Sequence, residues 1–175
     1  MTRDTPKLGP WQLRITPDGK LESDVAPFNW NPSPESTYRP LPTKTWLHIA
    51  MVFDGRELRN YINGRKVSAC AEEPQLTTND NNLLIGRRFN GRIAGARLSN
   101  EALYKEDFTP PIRLTKLPST VMLLPLDEGQ GSTAEDESGN GCVAVIAHGT
   151  WTTVSADEFQ ISPAAPPATS PGGLK

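Results

Sequence analysis

The sequence predicts an all-β domain of short antiparallel strands. Its 175 residues include 17 prolines and 14 glycines, a composition that suits turns better than long helices. Short apolar runs rich in β-branched or aromatic residues recur along the chain, and turn dipeptides such as Asp18-Gly19 and Asn63-Gly64 separate them. One domain is expected, because a chain of this length supports a single core.

The first predicted hairpin pairs residues 11–16 with residues 20–25. Asp18 and Gly19 between them readily adopt positive φ, as a tight hairpin turn requires. Residues 26–44 are rich in Pro, Ser and Asn and predict a long loop. Its aromatic side chains either pack on the sheet or face a ligand.

A three-stranded meander follows. Residues 45–53 are apolar on both alternating faces, which predicts a central strand covered on both sides. Asp54-Gly55 begins a turn before a strand at 57–62. Asn63-Gly64 predicts a two-residue type I′ turn, and residues 65–70 form the returning strand.

Four further strands and one short helix are predicted beyond the meander. The apolar runs at 82–86 and 91–99 predict two buried strands. Residues 100–108 predict a helix, because Asn100 or Ser99 is a good N-cap and Ala102, Leu103 and Phe108 lie near helical spacing. Strands are then expected at 120–127, interrupted by Pro125, and at 142–147. The core predicted from these runs comprises Trp46, Ile49, Phe53, Ile62, Leu84, Ile85, Ile93, Leu98, Leu124 and Ile146.

An ordered set of motifs runs through the middle of the chain. Its residues are Trp46, His48 and Ala50; Asp54 and Gly55; Tyr61, Asn63 and Gly64; Ile85 and Gly86; Phe89, Gly91 and Ile93. This set resembles the second half of a laminin-G-like (LamG) domain, of the concanavalin A-like jelly-roll superfamily. The resemblance implies an antiparallel jelly-roll β-sandwich over residues 11–154. The family's acidic pair is replaced here by Ala94 and Gly95.

The resemblance also suggests how the chain is divided. Residues 1–10 are expected to be irregular, and the resemblance suggests that the opening strands of a LamG domain are missing before residue 11. We therefore expect a fragment of a larger multidomain protein, with residues 120–154 as a C-terminal strand segment. Residues 155–175 form a Pro/Ala-rich tail that is expected to be disordered.

Charge and hydropathy disfavour two classes of partner. The net charge is −2 and the 18 basic residues are scattered, so we expect no nucleic acid partner. No apolar run is long enough for a membrane span, and the first residues lack the apolar core of a signal peptide.

The acidic, glycine-rich stretch 126–141 has three interpretations. Its glycines have the spacing of a dinucleotide-binding fingerprint, but the residues after them cannot form the helix that this fingerprint requires. Asp136, Ser138 and Asn140 occupy positions 1, 3 and 5 of a calcium loop, but Ala147 stands where the bidentate carboxylate belongs. The stretch is therefore either a partial calcium site or a structural connection into the last strand.

No catalytic constellation stands out. Asp127 with Glu128, and Glu135 to Glu137, lie in glycine-rich turns where nothing fixes the geometry of a glycosidase pair. Neither His48 nor His148 lies in a nucleophile motif. We therefore predict that the chain is not an enzyme. The two cysteines, Cys70 and Cys142, are either a disulfide or two thiols.

The resemblance implies a non-catalytic binding or adhesion module. Its ligand would be a carbohydrate or a protein, and its setting a larger extracytoplasmic protein. A glycoside-active enzyme domain and a structural spacer without a ligand remain the alternatives. The candidate contacts are Trp30 and Tyr38 for stacking, and Asn79, Asp80 and Asn81 for hydrogen bonding.

Overall fold

The computed structural model describes residues 11–25, 40–71 and 81–161. Within these ranges every regular element is a β-strand and none is a helix, which confirms the all-β prediction. The strands pair into four antiparallel sheets, β1-β2, β3-β4-β5, β6-β7 and β8-β9. Their bounds are β1 Trp11–Ile15, β2 Leu21–Val25, β3 Ile49–Phe53, β4 Glu57–Ile62, β5 Arg65–Ala71, β6 Ala96–Ser99, β7 Thr120–Leu124, β8 Thr133–Ala134 and β9 Ala144–Val145.

The first hairpin forms as predicted. The Thr16 N–H donates to the Lys20 carbonyl over 2.8 Å, and Gly19 turns the chain with a φ of 83°. Arg14 on β1 lies opposite Glu22 on β2 and forms an ion pair with it. An opposite-charge pair directly across an antiparallel ladder favours this register.

The meander also forms, but its buried strand is β4 rather than β3. Residues 45–48 precede β3, which begins at Ile49 and is mostly half-buried. β4 lies between β3 and β5, and Leu58 to Tyr61 are buried on both of its faces. Asp54 closes the turn before β4. Hydrogen bonds from the N–H groups of Glu57 and Arg56, and then from Arg59, lower the pKa of its carboxyl to about 2.

Two of the elements expected after the meander are absent from the described residues. Leu83, Leu84 and Ile85 form no strand and are exposed, so the predicted buried strand at 82–86 is wrong. The predicted helix at 100–108 is also wrong, because that segment is irregular. The strand expected at 91–99 shortens to β6.

The C-terminal segment carries the remaining strands. β7 ends at Leu124, immediately before Pro125, as a residue without a backbone N–H favours. β9 is only two residues long, and it pairs with β8 inside the glycine-rich stretch, where no strand was predicted.

The core lies elsewhere than the apolar pattern suggested. Of the ten expected core residues only Leu124 is buried, and Leu84 is 64% exposed. The strands β2, β4 and β7 contribute most of the core, because β4 and β7 are buried on both faces and β2 is buried on one. The buried apolar residues are Leu21, Val25, Val52, Leu58, Tyr61, Met122, Leu123, Leu124 and Ala134.

Replacing Leu123 by Ala should lower the free energy of unfolding by about 2–5 kcal/mol, because it removes a side chain that is only 1% exposed. Leu84→Ala makes the same chemical change at an exposed position and should cost less than about 0.5 kcal/mol. Urea titrations of both variants measure the difference. Equal costs would contradict this assignment of the core.

Candidate functional site

The Asn63-Gly64 turn holds a distant segment of the chain. Asn63 and Gly64 have φ values of 51° and 78°, as the predicted type I′ turn requires. The Phe108 N–H donates to the Gly64 carbonyl over 2.8 Å. A Cβ on Gly64 would lie 1.8 Å from the Phe108 carbonyl oxygen, so only glycine permits this approach.

The same turn fixes the chain just before β3. The Asn63 Oδ1 accepts the His48 N–H over 2.8 Å, and the Asn63 N–H donates to the His48 carbonyl over 2.7 Å. On the other side of the turn, the Lys66 N–H donates to the Asp107 carboxylate over 2.8 Å. This bond and the Phe108–Gly64 bond attach residues 107 and 108 to the β4-β5 hairpin.

An aromatic cluster forms where this segment meets the hairpin. Tyr104 and Phe108 stack with ring centroids 3.6 Å apart and an interplanar angle of 6°. Phe108 also lies 5.4 Å from the buried Tyr61 ring and 5.5 Å from the His48 ring. The Tyr61 hydroxyl donates to the Tyr104 carbonyl over 3.1 Å. Three neighbouring rings therefore restrict the orientation of Phe108, and the hydrogen bond fixes two of those rings relative to each other.

A cleft of about 480 Å³ opens beside Phe108. One wall is the chain from Phe108 to Ile112, and the other is the chain from Ala156 to Ile161. The lining is mainly apolar and aromatic, with two amides and one hydroxyl. It comprises Asn63, Phe108, Thr109, Pro110, Ile112, Ala156, Phe159, Gln160 and Ile161.

The second wall of the cleft belongs to the stretch expected to be a disordered tail. Phe159 meets the Trp46 ring edge-on at 4.9 Å, and Ile161 forms a parallel β-bridge with Trp46. The Glu158 and Phe159 N–H groups donate to the Ser155 carbonyl. Residues 155–161 are therefore ordered against the domain, and the tail prediction is wrong for them.

Most of the ligand contacts proposed from sequence fall where the structure gives no description. Trp30, Tyr38, Asn79 and Asp80 lie outside the described residues, and Asn81 is exposed. Reasoning from sequence missed Phe108 and Phe159, since both fall in segments assigned to a helix and to a tail. The signal available in the sequence was the Asn63-Gly64 turn, because a glycine at positive φ leaves room for another part of the chain to approach its backbone closely.

The acidic loop brings Asp136, Ser138 and Asn140 together around β7. The Asp136 Oδ1 accepts the N–H groups of Leu123 and Ser138 over 2.8 and 2.9 Å. Its Oδ2 accepts the Ser138 hydroxyl over 2.6 Å and the Cys142 N–H over 3.0 Å. The Asn140 amide donates to the Val121 carbonyl over 2.9 Å. The loop therefore attaches the chain leading into β9 to the backbone of β7.

Four donors on one carboxylate decide its charge state. Burial raises the pKa of Asp136, but hydrogen bonds from the Ser138 hydroxyl and the three N–H groups outweigh burial and hold the pKa well below 3.8. A calcium ion would compete for lone pairs that these donors already occupy. Within the described ranges, no group of three His, Cys, Asp or Glu side chains is arranged to hold a metal ion. The geometry thus favours the structural interpretation of this loop over the calcium site.

His48 and the cysteines play no visible chemical role. Burial and the nearby charge of Arg97 lower the pKa of His48, and its Nδ1 has no hydrogen-bond partner among the described residues. Cys70 and Cys142 are thiols and not a disulfide. The Cys142 sulfur lies 3.7 Å from the Val121 carbonyl oxygen.

Replacing Asp136 by Ala should lower the free energy of unfolding by about 1.5–3 kcal/mol, because it leaves several N–H donors without their charged acceptor. Glu135→Ala, one residue away and exposed, is the matched control and should change little. Melting curves in calcium and in chelator should coincide for the wild type. A rise in melting temperature with calcium that Asp136→Ala abolishes would instead establish the metal site.

The stability difference between wild type and Asp136→Ala should depend on pH. Because the folded-state pKa of Asp136 lies below 3.8, its contribution is complete above that value and is lost as the pH falls through the folded-state pKa. Urea titrations from neutral pH to about pH 2 should therefore show the two proteins converging. A constant difference across this range would contradict the ionised, hydrogen-bonded carboxylate.

Comparison with known families agrees with this architecture. In the described ranges, no helix is long and apolar enough to cross a membrane. No curated protein and no solved structure matches the chain significantly. The laminin G family model described as the concanavalin A-like lectin/glucanases superfamily matches residues 3–108, more than half of the chain. The chain therefore belongs to this laminin G family of concanavalin A-like domains.

Proposed function

We propose that the chain is a non-catalytic binding module of a larger extracytoplasmic protein, and that a carbohydrate or protein ligand occupies the cleft beside Phe108. The observation that supports this function is the lining itself. Its rings and aliphatic groups are accompanied by amides and a hydroxyl, but by no ionisable side chain among the described lining residues. Such a surface suits recognition, and these residues offer no general acid or base.

Each class of ligand has a matching chemistry in the cleft. The apolar face of a sugar ring packs on phenylalanine, and its hydroxyls exchange hydrogen bonds with amides such as Gln160. An extended peptide would place apolar side chains between Phe108 and Phe159 and bond its backbone to the same polar groups. Because the stacked Tyr104 already orients Phe108, little side-chain entropy is lost on binding.

The rival function is a glycoside-active enzyme, and one observation outside the cleft bears on it. Asp127 and Glu137 approach one another through Arg113, which lies 2.7 Å from the first carboxylate and 3.3 Å from the second. Both carboxylates are therefore engaged with one exposed guanidinium. A glycosidase instead places its two carboxyl groups on either side of the scissile bond. This arrangement therefore supports an ion-pair cluster in preference to a catalytic pair.

Binding is tested with a glycan array and a peptide array, followed by titration of the best ligand. Ile112→Asp and Gln160→Ala alter exposed cleft residues and should each weaken affinity by at least about fivefold. Ile15→Asp alters an exposed residue of β1 and serves as the matched control. The absence of any ligand would favour a structural spacer. Release of reducing sugar from polysaccharides would establish the enzyme.

A further inference from the structure

Charge is strongly segregated along the second half of the chain. Residues 81–100 contain four arginines and no acidic residue. Residues 117–161 contain no lysine or arginine and seven acidic residues. The arginines are Arg87, Arg88, Arg92 and Arg97; the acidic residues are Asp127, Glu128, Glu135, Asp136, Glu137, Asp157 and Glu158. Two parts of one chain therefore carry opposite charge although the whole chain is nearly neutral.

The basic part also exposes a large apolar surface. Leu84 is 64% exposed, and its neighbours Leu83 and Ile85 are 45% and 42% exposed. Phe89 and Ile93 are similarly exposed, and Arg87 and Arg88 lie between Ile85 and Phe89 in sequence. We call residues 83–93 the basic apolar surface. So many exposed large apolar side chains in one short segment indicate an interaction site.

The backbone of residues 83–85 can accept a neighbouring strand. Residues 83–85 have a strand-forming composition, yet they join no sheet and make no backbone hydrogen bond within the described part of the chain. An exposed apolar run with unpaired N–H and C=O groups is a template for strand addition.

A complementary acidic surface lies on the β8-β9 hairpin. Val143 is 59% exposed and Val145 is 76% exposed, and Glu135, next to β8, is exposed as well. Among the described strands, β9 pairs only with β8, so its other edge is open. Two-stranded sheets are marginally stable and gain from a third strand. We call residues 133–145 the acidic hairpin.

We propose that the basic apolar surface of one molecule binds the acidic hairpin of a second copy of this chain. Residues 83–85 add to the open edge of β9, their leucines cover the exposed valines, and Arg87 and Arg88 face Glu135. An ion pair between the same two charged parts of the chain already occurs within one molecule, where an Arg92 guanidinium nitrogen lies 2.5 Å from a Glu158 carboxylate oxygen. Arg87 and Arg88 make no ion pair with the described residues and are available to a neighbour.

The partner is a second copy because the chain itself carries both halves of the contact. Two copies that exchange both halves close into a two-fold dimer. An anionic membrane would satisfy the arginines and the exposed apolar side chains, but it would leave the exposed valines and the open edge of β9 without a role. The ionic part of the contact also predicts that salt weakens the association.

Self-association is measured by light scattering over about a hundredfold range of protein concentration, in about 0.05 M and 0.5 M salt. We expect a concentration-dependent rise in mass that high salt reduces. Leu84→Lys should abolish it, whereas Leu13→Lys, on the exposed side of β1, should not. The double variant Arg87→Glu/Arg88→Glu should raise the dissociation constant at least about tenfold, because it places like charges together.

A mixing experiment distinguishes this specific contact from non-specific association. The Arg87→Glu/Arg88→Glu protein and a Glu135→Arg protein should each associate weakly alone, but should associate with one another when mixed. A monomer at every concentration would overturn the proposal, as would association that none of these variants changes. Binding of the monomer to anionic lipid vesicles, without self-association, would overturn it as well. Circular dichroism confirms that each variant is folded, which is expected because all the altered side chains are exposed.

Discussion

The close approach of Phe108 to Gly64 is the constraint on which most of this structure depends. A hairpin turn with no room for a Cβ receives the carbonyl of a residue more than forty positions later, and the Phe108 N–H closes the contact. From that point the Tyr104–Phe108 stack lies over Tyr61, and the chain to Ile112 forms one wall of the cleft. A local conformational requirement at one glycine therefore sets the position of the candidate binding surface.

A second attachment, the Asp136 carboxylate, plays the same part for the C-terminal segment. β7 supplies three buried apolar residues. The strand β9 that follows is only two residues long, so its own ladder hydrogen bonds are too few to fix the C-terminal segment. One carboxylate that accepts four hydrogen bonds replaces the ladder that a longer strand would have formed. The loop resembles a calcium motif because both need short oxygen-bearing side chains at alternate positions. Here the Asp136 oxygens accept hydrogen bonds from three backbone N–H groups and from the Ser138 hydroxyl.

Local signals predicted the fold where the contacts are local, and failed where they are not. Both hairpins pair residues three to fourteen positions apart, so the turns at Asp18-Gly19 and Asn63-Gly64 were sufficient to predict them. The helix expected at 100–108 is absent because Phe108 and Asp107 bond to the β4-β5 hairpin instead of to their own turn. The core was misjudged because an apolar run does not say which of its faces is covered. Phe108 and Phe159 were not chosen as site residues, because their partners lie far away in sequence and the Gly64 turn alone does not identify its neighbour.

The segregation of charge along the chain affects both the contacts within one molecule and the proposed contacts between molecules. Opposite charges in residues 81–100 and 117–161 attract within one molecule, and the Arg92–Glu158 pair is one result. That pair is half-exposed and adds little stability by itself, so the charge pattern acts chiefly on which surfaces approach one another. The cleft, by contrast, is lined by uncharged groups. Ligand recognition there and self-association through residues 83–93 would therefore respond differently to salt, which allows one molecule to carry two independent contacts.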